Sequence, residues 1–352
     1  MANNISCDRN QSMAVFYDRH QKEVNWTDTQ LVAVKCFGSL FCTFILVSNG
    51  LAVAAVVINR KFHFPFYYLL ANLAASDFLA GIAYIYLMFN TGQVSRTLTV
   101  NMYFVRQGLL DISFSASLGN LLVIALERYV AIMSWKLHSG LTKRRVSLLI
   151  MFVWAVALFL AAVPSLGWNC LCNLEDCSAL APVFSKSYLI FWSLSNLVVF
   201  LVMVVIYTRM YAYVKRKTVA LSPNTSLNRR RMPIKFIKTV MTILGAFVIC
   251  WTPGLLILLL DGIDCKKCYV LKFKTWFLLL ATLNSVMNPI IYSYKDKDMW
   301  RTIKNIICSL ACLRHKGRPR NRQRSLKPHS DTLPIQEMGI ESQCSVEERL
   351  QE

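Results

Sequence analysis

Three groups of residues in this chain could do chemistry, and all three sit in or beside long apolar runs. Glu127-Arg128-Tyr129 places a charge pair at the end of one run, and ionisable groups at hydrocarbon depth are costly and mark functional sites by default. Asp77, in Asn72-Leu73-Ala74-Ala75-Ser76-Asp77, is a carboxylate in the middle of a second run, with Asn49, Ser117, Asn284, Ser285 and Asn288 at similar depth in others. Singly, an Asn or Ser there is ordinarily interhelical glue. Together, one carboxylate facing five polar residues describes a hydrated, sodium-like cation site or a proton-linked switch. Arg106 and Gln107 open the run that closes on Glu127-Arg128, with Asp111 one turn deeper. A guanidinium matches the geometry of a phosphate, and a neutral amide both donates to and accepts from a hydroxyl.

The elements that must hold these groups are membrane helices. The chain has 352 residues, 55% hydrophobic and 16% charged. Its mean hydropathy is positive. A soluble domain carries nearer about a quarter charged residues, so an integral membrane protein is expected. Roughly 20 apolar residues cross a bilayer as a helix, and seven such runs are predicted at 31–58, 66–90, 101–132, 146–166, 186–213, 235–260 and 272–294. The fold class expected is an all-α, seven-transmembrane bundle. No internal repeat appears, which counts against transporters built from duplicated halves.

The net charge of +20 would suggest nucleic acid in a soluble protein. Here the cations lie between and after the apolar runs, so the positive-inside rule accounts for them and no nucleic-acid partner is expected. Arg60 and Lys61 follow the first run. Lys136, Lys143, Arg144 and Arg145 follow the third, and Lys215-Arg216-Lys217 with Arg229-Arg230-Arg231 the fifth. The tail adds Arg314, Lys316, Arg318, Arg320, Arg322 and Arg324. Alternate loops are poorer in cations, apart from Lys266, Lys267, Lys272 and Lys274 in the last. The N-terminus is thus expected outside and the C-terminus inside. The first thirty residues have no apolar run before a small-residue cleavage site, so the first span is expected to direct insertion itself.

This topology divides the chain into an extracellular segment (1–30), the bundle (31–294), a short amphipathic helix with a palmitoylation site at the inner face (295–312) and a disordered cytoplasmic tail (313–352). Asn4 and Asn10 open luminal sequons and are expected to carry glycans, Asn25 less so because it lies close to the bilayer, and Asn224 should stay bare. Lys295 to Ile307 reads as the amphipathic helix, followed by Cys308 and Cys312, which suit reversible palmitoylation or remain free thiols. Cys170, Cys172 and Cys177 crowd one outer loop, and Cys265 and Cys268 another. An oxidising space favours disulfides over zinc for them, but spacing does not fix the connectivity. No Ser/His/Asp set, Gly-rich phosphate loop or His cluster appears, so neither catalysis nor a metal or other cofactor is expected.

The sixth run carries Cys250-Trp251-Thr252-Pro253, whose proline removes an intrahelical hydrogen bond. The seventh carries Asn288-Pro289-Ile290-Ile291-Tyr292. With the Glu-Arg-Tyr triplet, and in this order, these motifs resemble the rhodopsin-like G-protein-coupled receptors across the whole membrane region. The resemblance implies that Arg128 pairs with Glu127 at rest and faces a G protein when active, with Tyr207 and Tyr292 rearranging beside it. It implies the plasma membrane as location, heterotrimeric G proteins as partners, arrestin as a further candidate, and membrane lipid around the bundle. A retinal-binding version would need a lysine in the middle of the seventh run, which has none between Lys274 and Lys295.

Two departures narrow the match. Val199 stands where most such receptors have a kinking proline, and Tyr103 where most have a cysteine. Lysophospholipid receptors share both, along with Arg106-Gln107-Gly108-Leu109-Leu110-Asp111 and Lys61-Phe62-His63-Phe64-Pro65. The sequence is most similar to lysophosphatidic acid receptors of the endothelial-differentiation-gene group. That resemblance implies disulfides Cys170–Cys177, Cys7–Cys172 and Cys265–Cys268. It also implies a phosphate clamp of Arg106 with Lys22, Lys272 and Lys274, a hydroxyl from Tyr17, and an acyl-chain slot lined by Trp192, Trp251, Gly254 and Leu258. Where related receptors carry a further cation this chain has Thr275, so either Lys274 supplies the charge or the clamp is one cation short. Sphingosine 1-phosphate carries an ammonium, which is expensive to bury without a counter-charge. A neutral Gln107 therefore favours lysophosphatidic acid. Asp111 could serve an ammonium, which keeps sphingosine 1-phosphate, or another lysophospholipid, as the alternative ligand.

Overall fold

A computed structural model describes residues 7–19, 28–133, 142–220, 227–265, 268 and 274–316. Among them the regular structure is helical, with three isolated β-bridges. The seven long helices are α2 (Asp28–Ile58), α3 (Pro65–Phe89), α5 (Val100–Met133), α6 (Lys143–Leu166), α7 (Lys186–Ala220), α8 (Leu227–Gly262) and α9 (Lys274–Lys295). They correspond one to one with the seven predicted runs. The first six contain stretches long and apolar enough to cross a membrane, and the 22 residues of α9 also suffice in length.

The helices form one bundle. α2 packs on α3 and α9, α3 on α5, α7 on α8 and α8 on α9, while α5 touches α3, α6, α7 and α8 and so occupies the middle. Large apolar side chains face outward on many helices, among them Phe37, Leu40, Phe159, Leu201 and Ile249. In lipid such exposure is unpenalised, so packing, small residues and interhelical hydrogen bonds hold the bundle instead. A Cβ on Gly81 would stand 3.0 Å from Leu46, and one on Gly119 would stand 2.9 Å from Val153, so these glycines set the α2–α3 and α5–α6 approaches. Trp154 Nε1 donates to Asn72 Oδ1 at 2.9 Å and Asn72 Nδ2 donates to Asn120 Oδ1 at 2.5 Å, tying α6, α3 and α5.

Helix starts follow local chemistry. Pro65 occupies the first turn of α3, where its missing N–H costs nothing. Thr142 caps α6 by accepting from Arg145 N. Ends differ from expectation in one consistent way: α7 and α8 run beyond the predicted 186–213 and 235–260. Hydropathy stops where Lys and Arg begin, but those residues are good helix formers and the backbone ladder continues through them.

The segment before α2, for which the sequence predicts no element, contains α1 (Ala14–Arg19). It lies against the loop that holds α4 (Val94–Thr97). Met13 N donates to Leu98 O at 2.8 Å and Val100 N to Gln11 O at 3.1 Å, Ser12 Oγ donates to Arg96 O, and Arg96 pairs with Asp18. Cys7 is joined to Cys172. Separately, α10 runs from Lys297 to Lys316. It is longer than the predicted 295–307 because no glycine or proline interrupts the chain before Gly317, so Cys308 and Cys312 lie within the helix rather than after it.

Candidate ligand pocket and switch residues

Arg106 is the most informative side chain at the α1 end of the bundle. It is only 5% exposed and has no ion-pair partner among the described residues. Its Nη1 donates to the carbonyl of Asn90, which caps α3, at 2.7 Å. The guanidinium carbon stands 4.5 Å from the centre of the Tyr103 ring, a cation–π arrangement. Nε is buried with no hydrogen-bond partner. A buried unpaired cation with an unused donor is costly, and an anion carrying several acceptor oxygens would relieve that cost. Gln107 and Asp111 are both half-buried on α5. Tyr17, on α1, is half-buried as well.

An aromatic floor lies deeper. Phe114 stands 5.2 Å from Trp192 and 4.1 Å from Trp251 between ring centres, and Trp251 stands 5.6 Å from Phe277. Trp192 and Trp251 thus both pack against Phe114. Gly254 has a clear local reason: a Cβ there would fall 1.7 Å from Phe277 Cε2, so the Phe277 ring occupies the space a side chain would need. The indole nitrogens of Trp192 and Trp251 have no hydrogen-bond partner. Phe114 and Phe277 did not stand out in the sequence, although spacing could have found them. Gln107, Asp111 and Phe114 follow i, i+4, i+7, and Phe277, Ala281, Asn284 and Asn288 continue one stripe of α9.

At mid-depth Asp77 is 1% exposed. Its Oδ1 accepts from Ser117 Oγ at 3.3 Å and Ser285 Oγ at 3.2 Å, and its Oδ2 from Asn288 Nδ2 at 2.7 Å. Ser76 and Ser117 share a 2.8 Å hydroxyl contact, and Asn49 Nδ2 donates to Ser285 O at 3.2 Å. The side-chain oxygens of Asn49, Asn284 and Asn288 are buried without partners. One carboxylate and three amide oxygens in excess of their donors form an acceptor-rich set, which suits a small hydrated cation.

At the far end of α5, the Arg128 guanidinium donates through Nε and Nη2 to both oxygens of Glu127. Glu127 is buried and Arg128 partly so. Tyr129 is half-buried beside them, and Tyr207 on α7 is buried with no partner for its hydroxyl among the described residues. Pro289 lies inside α9 without ending it. Arg106 and Arg128 are 22 residues apart on one helix, about 33 Å at roughly 1.5 Å per residue.

The structure joins Cys170 to Cys177 and Cys265 to Cys268, besides Cys7 to Cys172. Asn10 is exposed. Lys22, Lys272 and Asn4 lie outside the described residues, as do the side chains of Lys274, Thr275, Tyr292 and Cys312. One pair escaped sequence reasoning: Asp261 at the end of α8 accepts from buried Ser178 Oγ of the loop before α7. No motif signals it.

A seven-helix bundle with a buried arginine toward one end of its central helix and a partly buried, carboxylate-paired arginine toward the other defines a class of membrane receptor. Residues 48–292 match the family described as "7 transmembrane receptor (rhodopsin family)", and the chain belongs to that family. It is a multi-pass plasma-membrane receptor and not an enzyme. Within the family it is 61% identical over 330 residues to lysophosphatidic acid receptor 3 of Homo sapiens, covering 93% of this chain and 94% of the relative. It is 64% identical over 306 residues to the receptor of that name in Rattus norvegicus, covering 86% of each. Similarity extends to lysophosphatidic acid receptor 1 of Homo sapiens, at 49% over 310 residues, covering 87% of this chain and 85% of the relative.

Proposed function

We propose that this chain is a cell-surface receptor activated by lysophosphatidic acid that signals to heterotrimeric G proteins, with its N-terminus outside and its C-terminus inside. The observation that carries this reading is Arg106, buried with no ion-pair partner among the described residues and beside a neutral Gln107. In this reading Arg106 clamps the phosphate with Lys274 and Lys22, Gln107 and Tyr17 meet the glycerol region, and the acyl chain descends toward Trp192, Trp251 and Gly254. The names of its relatives support the same ligand. Binding shifts a pre-existing equilibrium by the ligand's differential affinity for the active state, α8 moves, and Arg128 leaves Glu127 to meet the G protein. Tyr207, Asn288, Pro289 and Tyr292 belong to the same switch, and the Asp77 cluster holds a hydrated cation that favours the resting state. Asn4 and Asn10 carry glycans, Cys308 and Cys312 palmitate, and arrestin is a second cytoplasmic partner.

Asp111 favours one rival, because a half-buried carboxylate without an ion-pair partner among the described residues could receive the ammonium of sphingosine 1-phosphate. Dose–response curves for both lipids, read as calcium release and cyclic-nucleotide change in cells lacking related receptors, separate the two. Lysophosphatidic acid should act at concentrations at least about tenfold lower. Equal or reversed potency would reject the ligand assignment. An epitope at the N-terminus should label intact cells, and one in the tail only permeabilised cells.

A further inference from the structure

We infer that Phe66 is a second restraint on Arg128 and positions the switch arginine in the resting state. Phe66 lies in the first turn of α3 and is 8% exposed. The guanidinium carbon of Arg128 stands 4.6 Å from its ring centre, within the range in which a cation is attracted by the negative face of an aromatic ring. Glu127 therefore holds one edge of the guanidinium through two hydrogen bonds, while Phe66 attracts the same group as a neutral ring. The ring is braced in turn. Tyr67 meets Phe66 edge-on at 5.5 Å, and Phe62, 1% exposed, lies 4.6 Å from Tyr67. Phe62 belongs to a 3-10 turn, Arg60–Phe62, fixed by Asn59 Oδ1 accepting from Lys61 N at 3.0 Å. A chain of rings thus runs from the α2–α3 connection to the arginine. A leucine at position 66 would fill similar space without a quadrupole, so the aromatic character is what the switch uses.

The inference rests on the reading of Arg128 as the G-protein switch, and the test separates the two. Basal nucleotide exchange would be measured in washed membranes free of lipid agonist, at matched receptor density, for Phe66→Leu, Phe66→Tyr, Phe66→Trp, a ring-fluorinated phenylalanine at 66, and Glu127→Gln. Fluorination at several ring positions nearly keeps the shape and cancels the negative ring face. Phe66→Leu and the fluorinated ring should raise basal exchange about twofold to tenfold, the range expected from losing one partly buried cation–π contact, while Tyr and Trp hold it at the parent level. Glu127→Gln should raise it as well. If Glu127→Gln raises exchange but neither Phe66→Leu nor the fluorinated ring does, the role of Phe66 is overturned and the Arg128 reading stands. If Glu127→Gln is also silent, that reading fails and takes this inference with it. Should Phe66→Leu reach the membrane poorly, the nearly isosteric fluorinated ring decides.

Discussion

Truncating Arg106 gives the clearest test of the pocket. One donor of its fork is committed to the Asn90 carbonyl at 2.7 Å, and buried Nε has no partner. In Arg106→Ala the phosphate loses at least two charge-assisted hydrogen bonds. At about 1.5 kcal/mol each, the low end for bonds to charged groups, the loss is about 3 kcal/mol, or roughly 150-fold in affinity. Arg106→Lys keeps the charge but loses the planar fork and the stacking on Tyr103, whose ring centre is 4.5 Å away. That variant should lose about 1.5 to 2 kcal/mol, roughly ten- to thirtyfold. The assay is displacement of labelled lysophosphatidic acid from membranes, normalised to surface receptor, with calcium dose–response curves alongside. Affinity within about threefold of the parent for both variants would refute the clamp, because a buried guanidinium that binds the phosphate cannot be removed at so small a cost. If the alanine variant fails to reach the surface, the lysine variant carries the comparison.

Asp77→Asn should abolish the effect of sodium on agonist affinity, measured in sodium chloride against choline chloride, because the carboxylate is the one formal charge in that cluster. Persistence of the sodium effect would place the cation elsewhere. Gly254→Val puts atoms where Phe277 stands 1.7 Å from an ideal Cβ, so it should cut potency about tenfold for a long-chain lysophosphatidic acid and less for a short-chain one, at an overpacking cost of about 1 to 3 kcal/mol. Equal losses for both chain lengths would move Gly254 out of the acyl slot. Cys7→Ser with Cys172→Ser frees the covalent tether of the segment bearing Tyr17. It should speed lipid dissociation more than association, and unchanged dissociation would leave that segment outside the binding site.

The seven helices were legible because hydrocarbon imposes one rule, about 20 apolar residues per crossing, and hydropathy reads that rule directly. The end of α7 and the start of α8 were not legible, since both continue into Lys- and Arg-rich sequence where hydropathy falls but helix propensity does not. The Asp77 cluster is legible as five polar residues in three other runs, which only their shared depth connects. Three parts of the site were invisible for a common reason: their information lies between distant segments. The Gln11–Val100 and Met13–Leu98 pairing is made by backbone atoms, which carry no residue signature. The Phe114 floor and the Phe66 ring are apolar residues among many apolar residues, and their roles depend on which helix faces them. Arg106 was recognisable by type, but only the fold reveals that it is buried without a counter-charge among the described residues.

The central claim is that a neutral amide at position 107 selects lysophosphatidic acid over an ammonium-bearing lipid. The most direct measurement is the ratio of potencies of lysophosphatidic acid and sphingosine 1-phosphate for the parent receptor and Gln107→Glu in the same cells. A new carboxylate should repel the glycerol lipid's extra negative charge and pair the ammonium, so the ratio should move toward sphingosine 1-phosphate by about tenfold or more, equivalent to roughly 1.4 kcal/mol. A ratio unchanged in a variant that still reaches the surface and responds would contradict the account.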